Sequence, residues 1–247
     1  MDRTKGERIF LVFSFALALF LSFPLTAAGM HIIEGFFPVS HCVAWGVLCL
    51  PFLAAGIISI RRTLKRNKRL IMLLAMSGAF IFVISSLKIP SVSGSSSHMT
   101  GTGLSAILFG PAVTCVLGII VLVFQAVLLA HGGLTTLGAN AFSTAIAGPA
   151  FAWLLYRLGR KLNFNRKANV FIAAVFGDLI TYSVTSLQLA IAYPAARGGV
   201  MASAIKFLLV FAPTQAPLIA AGGLLTVFII IGLERFAEPE LKEISFI

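Results

Sequence analysis

Charged side chains are scarce in this chain, at 11% of 247 residues, where a soluble domain carries about 25%. With 59% hydrophobic residues and a mean hydropathy of +1.01, that scarcity excludes an ordinary soluble fold. Cysteine is nearly missing as well: Cys42, Cys49 and Cys115 are odd in number, show no CxxC spacing and fall in apolar segments. They read as inert core thiols, which excludes a disulfide framework or a cysteine zinc site. No GxxxxGK[ST] phosphate loop occurs, so ATP hydrolysis has no site here, and no HExxH is present to support a metallohydrolase. Internal repeats, long linkers and low-complexity tracts are missing too, which leaves one domain. Acidic residues are few, 8 against 19 basic ones. The resulting charge of +11 does not imply nucleic acid, because the cations gather in two short runs beside apolar segments, as cytoplasmic loops of membrane proteins do.

What is present is an all-α, polytopic integral membrane protein. Residues 1–29 read as a signal peptide: Arg3, Lys5 and Arg8 form a basic start, an apolar run covers Ile9 to Phe20, and Ala27, Ala28 and Gly29 supply small residues for cleavage. Residues 30–247 then form a single transmembrane domain. The basic runs orient it, with Arg61, Arg62, Lys65, Arg66, Lys68 and Arg69 in the first and Arg157, Arg160, Lys161, Arg166 and Lys167 in the second. Both belong on the cytoplasmic side. An external Met30 implies one crossing at about Pro38 to Ile60 and a return at about Leu70 to Ile89, so residues 90–103 lie outside. Reaching Arg157 on the inner side takes an odd number of crossings, and three fit: a short one at Leu104 to Pro111, then Ala112 to Ala130 and Ala141 to Tyr156. Gly110-Pro111 and His131-Gly132-Gly133 mark the breaks. A half-length segment must be enclosed by neighbours, because unpaired backbone groups in lipid cost several kcal/mol each. Segments at Ala168 to Ala192 and Ser203 to Ile231 bring the expectation to about seven transmembrane helices, with an acidic cytoplasmic tail after Leu233. The protein is thus expected in the plasma (inner) membrane, with its mature N-terminus outside.

Cleavage after Gly29 makes Met30-His31 the new amino terminus. The terminal amine, the His31 amide nitrogen and imidazole Nδ1 can then close a five- and a six-membered chelate ring on one divalent ion. A fourth, planar position stays open for a second histidine. Such all-nitrogen coordination suits Ni(II), Cu(II) and Co(II) and offers little to Mg(II) or Ca(II). The histidine on the correct side is His98, in the small, polar loop Ser91-Val92-Ser93-Gly94-Ser95-Ser96-Ser97-His98-Met99-Thr100-Gly101. Each histidine taken singly also fits an ordinary solvated role; side, count and chelate geometry together favour Met30, His31 and His98 as metal ligands.

The stretches MHIIEGFFP, SLKIPSVSGSSSHMTGTGLSAILFGPAV, LLAHGGLTTLGAN and GDLITYSVTSLQLA, in this order, resemble the CbiM/NikM family of metal-specific substrate-binding (S) components of energy-coupling-factor transporters, nearer its cobalt branch. The resemblance covers about residues 30–231. It implies ligation by the Met30 amine, the His31 amide and imidazole, and His98. It also implies Co(II) as transported substrate with no permanent cofactor, and a role in cobalt uptake for cobalamin biosynthesis. The implied partners are a CbiN-like small membrane subunit, a CbiQ-like transmembrane coupling protein and CbiO-like ATPases in the same lipid bilayer. Nickel in the same kind of transporter is the alternative, since nitrogen ligands alone favour Ni(II) over Co(II). A self-sufficient ion-coupled carrier is the other alternative, opposed by a single intramembrane carboxylate and no repeat.

Other polar residues receive plainer readings. His41 stands where the family more usually shows a proline pair and an aromatic residue, and is expected to be incidental. His131 is expected to bond between helix and loop or to support a ligand indirectly, the former leading. Thr135 and Asn140 are expected to satisfy backbone groups around the same break. Asp178 reads as a structural hydrogen-bond centre with Tyr182, Thr181 or Lys88 as its partner, and Glu34 as an anchor of the terminal strand or a partial neutraliser of the ion.

Overall fold

The computed structural model describes residues 31–90, 96–244 and 246. The expected signal peptide, residues 1–29, and Met30 lie outside the described residues.

Helix α1, Val39–Arg66, starts behind Pro38, whose extended ψ of 141° serves as its N-cap, and continues through Pro51. It is longer than its apolar run: Arg61, Arg62 and Lys65 ride its last turns, and the turn into the next helix is closed by the Asn67 side chain, which accepts the Arg69 amide at 2.9 Å. Helix α2, Leu70–Ser86, buries Leu70, Leu73, Leu74, Ser77, Ile81, Ile84 and Ser85, one stripe at helical spacing. Its opposite face, including Ile71, Met72, Met76 and Val83, is exposed. Such a face suits lipid, and α1 presents Val43, Val47, Leu50 and Ile58 in the same way.

The return crossing expected to reach Ile89 ends at Ser86, and beyond it lies the one sheet among the described residues, a ribbon of β1, Lys88–Pro90, and β2, Ser96–His98, paired antiparallel with Lys88 opposite His98. After it the chain turns at Gly101, φ +68°, into α3, Thr102–Phe109. This is the short segment, and residues Thr102 to Leu108 are all buried, as the lack of water in lipid requires. Gly110, at φ +85°, breaks the chain into α4, Pro111–Leu129, with Pro111 in the first turn, where its missing N–H costs nothing. Thr114 bridges the break, donating its hydroxyl to Gly110 O at 2.9 Å or to Ser105 Oγ at 3.0 Å.

Ala130, in the left-handed region, ends α4. The next helix begins a turn earlier than expected: α5, Leu137–Ala141, runs through a π-helical stretch, Phe142–Ala147, into α6, Gly148–Lys161. Pro149 explains the wide turn, since it cannot donate to Ala145 and its ring crowds that carbonyl. Helix α7, Arg166–Ala192, is capped by Asn165, whose side chain accepts the amides of Lys167 and Ala168. Helix α8, Gly199–Phe236, holds Pro213 and Pro217, and a last short helix, α9, Glu238–Glu243, buries Leu241.

Among the described residues, four helices, within α1, α4, α7 and α8, are long and apolar enough to cross a membrane, and α2 is a shorter apolar helix. Small residues set how closely they pack. A Cβ added to Gly118 of α4 would stand 2.6 Å from the Ala145 Cβ, and one on Gly177 of α7 would stand 2.8 Å from that of Ala152. These helix axes are therefore closer than larger side chains permit.

Candidate metal centre

Residues 31–37 precede α1 as an irregular segment whose backbone is gripped by α5 and the loop before it. The Asn140 side chain accepts the Ile32 N–H at 2.8 Å and donates to the Ile32 carbonyl at 3.0 Å, while the Thr136 hydroxyl donates to that carbonyl at 2.6 Å. Ile32 and Phe37 are buried against Ala139, Tyr182, Leu189 and Phe211. Glu34 accepts the Thr135 amide at 3.2 Å. Hydrogen bonds from the Thr135 side chain and backbone hold the exposed Glu34 carboxyl below the usual carboxylate range. Of the two roles open to Glu34, the structure carries the anchoring one. Asn140 and Thr136, rather than Asn140 and Thr135, are the polar pair at this break, and the backbone they satisfy is that of the incoming terminal segment.

This grip puts His31 against two other imidazoles. The ring centroids of His31 and His98 are 4.4 Å apart, those of His31 and His131 4.5 Å, and those of His98 and His131 4.9 Å. One nitrogen from each lies within 4.8 Å of the others, and the rings are 2%, 0% and 5% exposed. The rings stand tilted or edge-on to one another, at 59°, 83° and 71°. Lone pairs so placed can converge on a point, which stacked rings cannot do. Among the described residues this is the only group of three or more His, Cys, Asp or Glu side chains placed to hold a metal ion.

Separate elements fix each ring. His98 ends β2, and its Nδ1 lies 3.0 Å from the Met99 carbonyl, the contact that orients a ligating imidazole and leaves Nε2 as its metal-facing atom. The His98 carbonyl accepts Gln215 Nε2 at 3.0 Å, and Ser97 Oγ meets Thr214 Oγ1 at 2.7 Å, so α8 carries the ribbon from between its two prolines. Below it, Thr100 donates its hydroxyl to Asp178 of α7. Asp178 is therefore a hydrogen-bond centre as expected, with a different partner: Tyr182 donates to Leu208 O, and Thr181 donates to Gly177 O at 3.2 Å. His131 follows the left-handed Ala130, and its amide donates to Gln125 O at 3.1 Å, a helix-ending bond that swings the side chain off the helix line.

Of the sequence candidates, His31 and His98 come together, Met30 lies outside the described residues, and His41 is elsewhere, its ring 5.9 Å from that of Phe37 and its Nδ1 3.4 Å from Ser40 Oγ. His131 makes the expected helix-loop bond and also stands beside His31 and His98, a placement the sequence reading does not include. The signal that marks it is its setting, a lone imidazole where an apolar helix stops at Gly132-Gly133. A buried all-imidazole cluster suits borderline transition ions and offers no oxygen for Mg(II) or Ca(II).

Residues 31–240 match the family model described as the CbiM cobalt uptake substrate-specific transmembrane region. The Cobalt transport protein CbiM of Lachnoclostridium phytofermentans is 56% identical over 98% of this chain and 97% of that protein. That of Ruminiclostridium cellulolyticum is 47% identical over 100% of both. A solved structure of a truncated transition metal transporter superposes with a TM-score of 0.69 at 24% identity, covering 83% of this chain and 99% of that one, a likeness of fold.

Proposed function

The chain belongs to the CbiM family of cobalt-uptake transmembrane components, and from that premise we propose that it captures Co(II) at the outer membrane face for an ATP-driven energy-coupling-factor importer supplying cobalamin synthesis. The observation that carries this reading is the buried His31, His98 and His131 cluster, with His31 one residue behind the expected cleavage point. Removal of residues 1–29 frees the Met30 amine. That amine, the His31 amide and Nδ1, and His98 then form a planar nitrogen set, and His131 approaches from a third direction.

The terminal segment acts as the chelating arm, and Asn140 and Thr136 hold it at the depth the histidines require. Ligation needs nitrogens stripped of protons, so binding weakens as pH is lowered. Energy for movement comes from companions: CbiO-like ATPases acting through a CbiQ-like coupling protein, with a CbiN-like small membrane subunit. A nickel-specific transporter of the same type is the second reading, favoured by the all-nitrogen donor set.

Purified protein titrated with Co(II) and Ni(II) at neutral and mildly acid pH tests the proposal. Tight Co(II) binding, lost in His31→Ala and in His98→Ala with membrane insertion retained, is the expected result. Full metal occupancy in either variant defeats the site, and tighter Ni(II) than Co(II) binding moves the substrate to nickel. Uptake by cells expressing this chain without any companion ATPase would favour a self-sufficient carrier instead.

A further inference from the structure

Far from the histidines, where α3 ends and α4 begins, lies a cavity of about 390 Å³ with a different chemistry. Helix α4 separates the two places: its 19 residues run from the break at Gly110 to just before His131, about 28 Å at 1.5 Å per residue, close to the thickness of a bilayer's hydrocarbon core. The cavity therefore sits at the opposite membrane interface, the end that carries both basic runs. Its wall includes Gly110, Trp153, Tyr156, Arg157, Arg160 and Phe246.

Every polar side chain in that wall can donate a hydrogen bond, and none is a carboxylate. Arg157 and Arg160 bring two guanidiniums from successive turns of α6, Tyr156 brings a phenol and Trp153 an indole N–H. Arg157 lies over the Trp153 ring, 4.3 Å from its centroid, which holds that guanidinium in a fixed plane. Tyr156 is held likewise, its ring stacked on Phe246 at 5.9 Å and 8°. Of the acids at this end, Glu234 pairs with Arg166 at 2.8 Å and Glu238 with Lys242 at 2.5 Å, and neither these two nor Glu240 and Glu243 line the cavity. Neither Arg157 nor Arg160 has a carboxylate partner among the described residues. The carbonyl end of α3 and the amide end of α4 meet at Gly110 and oppose each other, so the two guanidiniums set the sign of the field.

Planar five-donor forks paired in this way match phosphate oxygens, and the volume admits a phosphate with a small ester substituent. We propose that this cavity is a binding site for a phosphate ester anion, separate from the metal centre. Two sources share that chemistry, an anionic phospholipid headgroup at the basic membrane face and a soluble phosphate ester.

Thermal unfolding and native mass spectrometry of the full chain in nanodiscs distinguish them. The unmodified protein is compared in phosphatidylcholine alone, with added phosphatidylglycerol, and with phosphatidylcholine plus glycerol 1-phosphate. Stabilisation and retained lipid with phosphatidylglycerol only assign the site to lipid, and stabilisation by glycerol 1-phosphate as well assigns it to the soluble anion. In Arg157→Gln/Arg160→Gln, which removes both guanidiniums, retained phosphatidylglycerol or glycerol 1-phosphate should fall by at least about tenfold. Arg157→Lys/Arg160→Lys keeps the charge without the fork and should fall between. Equal behaviour in all three media, or equal retention by the Gln variant, overturns the proposal. Should the Gln variant not fold, the comparison of media in the unmodified protein still decides.

Discussion

An imidazole binds a metal well only where its ring is held before the ion arrives, and the three histidines show three ways of holding one. His31 is fixed through its neighbour Ile32 by Asn140, His98 through its own Nδ1 and carbonyl, and His131 through the amide that closes α4. His131 shares the enclosure of the other two, so its loss should reach the ion directly. His131→Ala is expected to lower Co(II) affinity about 10- to 100-fold and to shift the visible absorption of bound Co(II), read by titration and spectroscopy, the scale seen when a metal site loses a supporting group. His41→Ala, half-buried beside Phe37, should leave both readings unchanged. Equal spectra for the unmodified protein and His131→Ala would remove His131 from the ion's surroundings.

Among the elements, the telling one is the stretch between β2 and α3. Irregular backbone at this depth has no water to bond, and the Thr100 hydroxyl meets the need by accepting the Thr102 amide at 3.4 Å while donating to Asp178. The 0% exposure of Thr100 makes that arrangement costly to break. Asp178→Ala should destabilise the protein by about 1–3 kcal/mol, the cost of leaving a buried polar group unsatisfied, and Asp178→Asn, which can still accept, by less. Thermal unfolding in detergent measures both, and equal melting temperatures for Asp178→Ala and the unmodified protein would deny the carboxylate this role. The same stretch connects the His98 loop to α7, while Gln215 connects it to the proline-bearing part of α8. The position of His98 and the position of these helices thus share one set of hydrogen bonds.

At the scale of the whole molecule, the two faces differ in kind: an enclosed imidazole cluster at one, guanidiniums and aromatic rings at the other, with apolar helices between. Under the proposed function, residues 31–37 bring His31 to the first face, and assembly of the proposed site depends on cleavage before Met30. N-terminal sequencing of the mature protein from membranes is expected to start at Met30. A variant with one alanine inserted between Gly29 and Met30 that is cleaved after Gly29 should insert normally yet lose tight Co(II) binding, since the amine then stands one residue too far away. Retained binding in that variant would show that the terminal amine is not a ligand.

Membrane residence, helical class and the approximate places of the apolar segments were legible in the sequence, because each follows from local composition and from breaks such as Gly110-Pro111. His31 and His98 were legible as candidates, because a chelate dipeptide and a lone loop histidine are local patterns. The ribbon that seats His98 was not, since Lys88 and His98 pair across a loop whose composition names no strand. Nor was the run of α5 through its π turn into α6, nor Thr100 as the partner of Asp178, 78 positions away. The place of His131 beside His31 and His98 was set by tertiary structure alone. Three imidazoles from a terminal segment, a ribbon and a helix end meet only after small residues let the helices close and Asn140 fixes the arm between them.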